Sequence, residues 1–312
     1  MTQAPYERSV LSIFRNLLAT AGSLFINTFT LKFVEFFGDN AAAWSKTFGV
    51  FGIIAAILFI LNFLGCKERV KPVASDKNKK DSKSLKVGFS ALFKNKYWIM
   101  VTVMLALIFI AMALYGGATV YFAKDILGDK NLVTPIGNAV YISQIVSMFL
   151  IAGIIKRFGK RNVMLLGCLM NALAFAIMLF TSNYTIIIVC GILRGISSAC
   201  MGATMLAMVS DTIDYGEWKT GVRTEGLVNS ACSFGYKIGN GLGSAIFGWI
   251  LFFGGYTEGA VSQSASAIFS IKLSFAILPI IIYIAIFVML QFYKLDKEFD
   301  GIIKDLKERA NA

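Results

Sequence analysis

Lys237 stands among glycines in the run "SFGYKIGNGLGSAIFGWI" (Ser233–Ile250), which otherwise carries no charge. Counted from Gly226 it lies about 11 residues into an apolar stretch, roughly 16 Å deep at the helical rise per residue. Its stem is too short to return the ammonium to an aqueous interface from that depth. A lysine at the centre of a membrane helix costs about 2.5–3.5 kcal/mol. Such a charge requires a carboxylate, a water-filled cavity, or both. A purely structural ion pair is the competing reading, yet no carboxylate falls midway along any apolar span of this chain. Gly235, Gly239 and Gly243 recur every four residues beside it, a strip of small residues suited to close helix packing.

Other charged groups collect between the apolar runs. The segment "SDTIDYGEWKTGVRTEG" (Ser210–Gly226) gathers Asp211, Asp214, Glu217 and Glu225 with Lys219 and Arg223. Opposite charges at that density can pair and separate, although a merely solvated loop has the same composition. Arg15 heads the first apolar run, where an ordinary flanking cation or a functional one would both fit. The turn "GIIKRFGKRN" (Gly153–Asn162) combines two glycines with four basic residues. There is no histidine, which removes the usual general base and the commonest metal ligand. Cys66, Cys168, Cys190, Cys200 and Cys232 occur singly and form no CxxC, so no zinc or disulfide framework is expected. Catalysis has little to work with. The expectation is a protein that is no enzyme and holds no cofactor.

The elements that carry these groups follow from composition. Residues are 57% hydrophobic and only 15% charged, with mean hydropathy +0.69, against about a quarter charged in soluble domains. This is an all-α integral membrane protein. Runs long enough to cross a bilayer, about 20 residues each, fall near 13–36, 46–66, 97–122, 133–155, 162–180, 184–209, 226–253 and 268–292. Placing residues 1–15 in the cytoplasm makes 67–96, 156–161, 210–225 and 293–312 cytoplasmic. Those segments hold 23 of the 30 Lys and Arg residues, the bias that sets orientation. Both termini are then cytoplasmic, in a multi-pass protein of the cell membrane. The net charge of +12 is a topology signal, and no nucleic-acid partner is implied. The linker 67–96 opens lysine-rich and polar, then spaces Leu85, Phe89, Leu92 and Phe93 as an amphipathic helix lying in the interface. Two spans, a linker and six spans result. The asymmetry calls for an explanation.

One explanation is a resemblance. The string D-x-x-D-Y-G-E-W-K-T-G-x-R-x-E-G, with a lysine 23 residues after its second aspartate, resembles the glycoside–pentoside–hexuronide:cation symporters. These form the melibiose-permease-like branch of the major facilitator superfamily. An E-R-x-x-L-x-x-x-R start to the first span and "FYKLDKEFDGIIKDL" after the last agree. The basic turn is similar to that superfamily's short G-x-x-x-[DE]-R-x-G-[RK]-[RK] loop, with Lys156 in place of the acid. The resemblance implies an N-terminally truncated form, helices five to twelve of twelve. Its parts would be 1–66, the last two helices of the first half; 67–96, the central loop; 97–292, a complete six-helix half; and 293–312, a cytoplasmic tail.

The implied activity is symport of a sugar with sodium, lithium or a proton, the acidic cation ligands lying outside this chain. A separate fragment would then supply the first four helices. A transport-inactive membrane protein with a structural or partner-binding role is the alternative. By resemblance Lys237 sits between the cation and sugar sites, Ser233 offers a hydroxyl near the sugar, and Arg15 acts in sugar binding and gating. Asp211, Asp214 and Arg223 would form a cytoplasmic gate. Gly202 stands where melibiose carriers have tryptophan, so the sugar pocket differs.

Overall fold

The computed structural model describes residues 5–65, 90–221, 224–260 and 262–311, and every regular element among them is helical. The chain divides into two compact units, Met1–Ser82 and Lys83–Ala312.

The first unit holds α1 (Pro5–Phe36) and α2 (Ala41–Gly65). Gly38 and Asp39 both take positive φ in the turn between them, and Asn40 Oδ1 accepts from Ala43 N at 2.9 Å to start α2. Val34, Ala43 and Thr47 are buried where the helices touch, while most of α2 is exposed apolar surface. Two helices cannot enclose a core. In lipid they need not, since acyl chains solvate leucine as well as protein does.

The second unit begins its spans with α3 (Lys96–Tyr121), which continues through a π turn, Phe122–Ile126. Then follow α4 (Val133–Phe158), α5 (Lys160–Leu179), α6 (Tyr184–Thr220) and α7 (Glu225–Phe253). A last span joins α8 (Ala265–Lys272), a second π turn (Leu273–Ile277) and α9 (Leu278–Gln291). The surface helix α10 (Leu295–Asn311) closes the described chain. Local chemistry sets the ends. Asn95, Asn183 and Ser264 cap α3, α6 and α8 through side-chain oxygens that accept backbone N–H bonds. Gly159 takes φ +80° in the single-residue turn between α4 and α5.

Small residues let these helices approach. A Cβ on Gly239 of α7 would lie 2.7 Å from the Ala106 carbonyl oxygen of α3, and one on Gly243 would lie 2.7 Å from Ala113 Cβ. The glycine strip therefore packs α7 onto α3. Gly191 meets Ala139 across α6 and α4, and Gly167 meets Met201 across α5 and α6. Met104, Met164, Phe175 and Met208 fill the core between. In the connection after α7, Tyr256 Oη donates to Asp125 Oδ2 at 3.0 Å. Burial, reinforced by that carboxylate, pushes the phenol up to about 12.

Three expectations change. First, among the described residues seven helices are long and apolar enough to cross a membrane, so the expected count of eight is not established; α7 has the length but is not among the seven. Its glycines and polar residues dilute its hydropathy. Second, the charged segment from Ser210 is no loop as far as Thr220. At 37 residues α6 runs about 55 Å, well beyond a hydrocarbon core of about 30 Å. Its protruding end buries Thr212, Ile213, Tyr215 and Gly216, and that packing keeps a polar sequence helical. Third, residues 295–311 form α10, which packs on this end of α6. Of the amphipathic segment, Leu85 and Phe89 lie outside the described residues. Ser90–Phe93 makes a helical turn with Leu92 buried and Phe93 exposed.

Candidate substrate-binding face and inner charge cluster

The polar residues of α7 share one exposed face. Asn229, Ser233 and Lys237 recur every four residues, the spacing that stacks side chains along a helix. With Ser230 and Phe234 they line a pocket of about 450 Å³. Gly235, Gly239 and Gly243 are buried against α3 on the opposite side of the helix. The glycines thus fix which face is presented, and that face carries the ammonium. Lys237 lies 12 residues from the start of α7, about 18 Å along the helix. Among the described residues it makes no hydrogen bond or ion pair. The pocket is an open groove on this face, so the ammonium is exposed and not enclosed by protein. Asn229 and Ser230 escaped the sequence reading; their signal was the spacing of four and three residues that places them on the helix face of Ser233.

Arg194 solves the same problem differently. It lies ten residues into α6, about 15 Å along, and is 5% exposed. Its guanidinium carbon sits 3.5 Å from the ring centre of Tyr115 on α3 and 4.2 Å from that of Phe175 on α5. Nε and Nη1 are buried without hydrogen-bond partners. A desolvated cation–π contact contributes about 2 kcal/mol, so two faces together offset a central-cation cost of about 3 kcal/mol. Lys237 has no such pair of rings.

The other sequence-predicted residues lie elsewhere. Asp211 accepts from Lys160 Nζ at 2.5 Å, joining the protruding end of α6 to the start of α5. Lys160 also lies 4.9 Å above the Phe299 ring of α10. Asp296 Oδ2 accepts from Arg161 N at 2.8 Å, and Arg161 Nε donates to the Leu290 carbonyl at 2.7 Å. Trp218 Nε1 donates to Asp305 Oδ2, and Arg309 Nη1 to the Trp218 carbonyl. Asn95 Nδ2 donates to the Thr212 carbonyl at 2.7 Å, so α3 joins the same cluster. Asp214 is half-buried one turn beyond Asp211. Arg223 lies outside the described residues. Arg15 is exposed on α1, in the first unit. Sequence reasoning found Asp211 but missed Lys160 as its partner, although the basic turn that carries it was conspicuous.

No group of three or more His, Cys, Asp or Glu among the described residues could hold a metal ion. What the arrangement offers is a mid-depth ammonium with hydroxyl and amide groups, and a separate charge cluster at one end of the bundle.

Residues 1–297 match the model of the family described as MFS/sugar transport protein. The chain belongs to this family. It is a multi-pass membrane family of transporters, not of enzymes. The chain is 33% identical over 316 residues to the isoprimeverose transporter of Lactiplantibacillus pentosus, covering 99% of this chain and 65% of that protein. A putative glycoside/cation symporter of Escherichia coli is 28% identical, with 99% of this chain and 68% of the relative covered. A putative sulfoquinovose importer of the same organism is 27% identical, at 100% and 66%. The chain spans about two thirds of the length of the curated relatives it matches.

Proposed function

We propose that this chain is the larger part of a sugar:cation symporter that works by alternating access across the cytoplasmic membrane. The single observation that carries this reading is the α7 pocket, where Lys237 and Ser233 share one exposed mid-depth face with Asn229 and Ser230. Hydroxyl and amide groups exchange hydrogen bonds with a polyol, and an ammonium donates to ring hydroxyls or neutralises a carboxylate. The printed names of the relatives, an isoprimeverose transporter and a glycoside/cation symporter among them, support a sugar or glycoside as substrate. They lend nothing to the transport-inactive alternative.

In this reading Lys237 pairs with acidic groups that bind sodium, lithium or a proton, and those groups lie outside this sequence, on a longer chain or a separate fragment. When the cation occupies them the ammonium is released toward the sugar, so each ligand raises affinity for the other. Arg15, on α1, acts in sugar binding and gating. Asp211, Asp214 and Arg223 belong to a cytoplasmic gate whose ion pairs, Lys160–Asp211 included, break when the inner side opens. Eight helices cross, α7 among them, with both ends of the chain cytoplasmic. Residues 1–66, 67–96, 97–292 and 293–312 are then the end of the first half, the central loop, the second half and the tail.

The test is uptake of radiolabelled sugar into proteoliposomes, with the chain supplemented by helices equivalent to the missing third of its relatives. Uptake is expected to depend on an imposed sodium, lithium or proton gradient and to lose that dependence in Lys237→Ala. Gradient-driven uptake that survives Lys237→Ala unchanged overturns the role of the pocket.

A further inference from the structure

The helix that carries the pocket is placed by α3. Along its glycine strip α7 rests on Thr102, Ala106, Phe109, Ile110 and Ala113, and it has little contact with α6. Phe109 and Tyr236 add an edge-on ring contact at 4.4 Å. Wherever α3 goes, the pocket follows.

Among the described residues, polar contacts tie α3 and its start to α6 at two levels. Near one end, Asn95 donates to the Thr212 carbonyl, and Lys219 Nζ donates to the Lys94 carbonyl at 3.0 Å. Twenty residues on, about 30 Å along the helix, the Tyr115 ring stacks on Arg194. The second tie is unusual in its chemistry. The guanidinium sits in the corner where the Tyr115 and Phe175 rings meet edge-on at 5.5 Å, Nε and Nη1 have no acceptor, and the Tyr115 hydroxyl is also buried without a partner. Neither hydrogen bonding nor an ion pair among the described residues explains the arginine. Only its charge against two ring faces does.

We propose that Arg194 is a positioning residue for the α7 pocket: its guanidinium, seated in the corner of the Tyr115 and Phe175 rings, fixes α3 and through it the face that carries Ser233 and Lys237. The proposal rests on reading that face as the ligand face, but the contact it invokes does not. Charge and ring face are what matter, so the hydroxyl of Tyr115 is dispensable and the ring is not. Arg194→Lys keeps the charge but loses the flat, delocalised surface that can lie along a ring, so it restores the position only in part.

The experiment reads position without transport. A cysteine is placed by Ser233→Cys in the full chain, in nanodiscs, with Cys66 and Cys232 replaced by serine; Cys168, Cys190 and Cys200 are buried. The rate of labelling by a water-soluble maleimide is then measured. Arg194→Met and Tyr115→Leu are each expected to change that rate at least about threefold, the scale of coupling between residues in contact. Tyr115→Phe should leave it unchanged, Arg194→Lys should fall between, and the Arg194→Met/Tyr115→Leu pair should add nothing to either alone.

An unchanged rate in Arg194→Met, equal effects of Tyr115→Phe and Tyr115→Leu, or additive single changes would each overturn the proposal. Should Arg194→Met fail to give monodisperse protein, Arg194→Gln takes its place, because Tyr115→Leu also removes ring contacts with Phe175 and Phe275; an unchanged rate in Arg194→Gln overturns the proposal. Because labelling is measured rather than uptake, this inference and the symport reading fail separately.

Discussion

Lys160 and Asp211 lose different things when the other is removed. The carboxylate side chain is 7% exposed and the lysine 28%. Lys160→Met therefore strands a buried charge, whereas Asp211→Asn leaves an ammonium that can turn to water or to the Phe299 ring. Breaking a buried pair from the side that leaves the charge inside costs about 3 kcal/mol or more, and an exposed partner left alone costs about 1 kcal/mol or less. Thermal denaturation in detergent should show Lys160→Met as the more damaging change, and the double variant as milder than Lys160→Met alone. Equal destabilisation by the two single changes would show that the pair is solvated. The sequence marked Asp211 from its charged neighbourhood. Its partner lies 51 residues away, beyond the reach of any local pattern.

At the scale of elements, the glycines of α7 divide by face. A methyl on Gly239 would press against the Ala106 carbonyl and Phe109 Cβ, which a packed helix pair resists by about 1–3 kcal/mol. Gly241 has nothing within 4 Å of the same position, so Gly241→Ala gains about 0.5–1 kcal/mol from helix propensity alone. Melting temperatures should move in opposite directions for Gly239→Ala and Gly241→Ala. The four-residue repeat of Gly235, Gly239 and Gly243 was visible in the sequence, and α3 as its partner was not. A second element-scale outcome concerns α10. Deleting Leu295–Asn311 removes the acceptor of Trp218 Nε1, the Asp296 acceptor at Arg161 N and the ring beneath Lys160. The truncated chain should melt earlier than the full chain. An unchanged transition would show α10 to be a passive tail.

For the whole molecule, the unequal units imply unequal independence. Lys83–Ala312 encloses a core of fully buried Met104, Phe175, Ile187 and Phe275, whereas the described residues of Met1–Ser82 form one helix-to-helix seam. Expressed separately in detergent, residues 83–312 should give a cooperative thermal transition by circular dichroism. Residues 1–82 should melt gradually, because two helices share too little surface for all-or-none unfolding. Sharp transitions from both would mean that the first unit has more internal packing than its exposed surface suggests.

By itself the sequence determined that the chain is a helical membrane protein, where most spans fall, and which residues are costly enough to suspect. Those properties are local: apolar run length, the placement of Lys and Arg, and one ammonium in an apolar run. Tertiary structure decided the rest. It kept the polar end of α6 helical by burying Thr212, Ile213 and Tyr215, and turned the final segment into a helix packed on it. It gave Asp211 a lysine from another helix, set Arg194 against two rings, and left Lys237 on an open groove. Lys237 and Arg194 each stand in an apolar run. Which one found partners depends on the side chains that distant helices bring to the same depth, and no spacing along one chain segment encodes that.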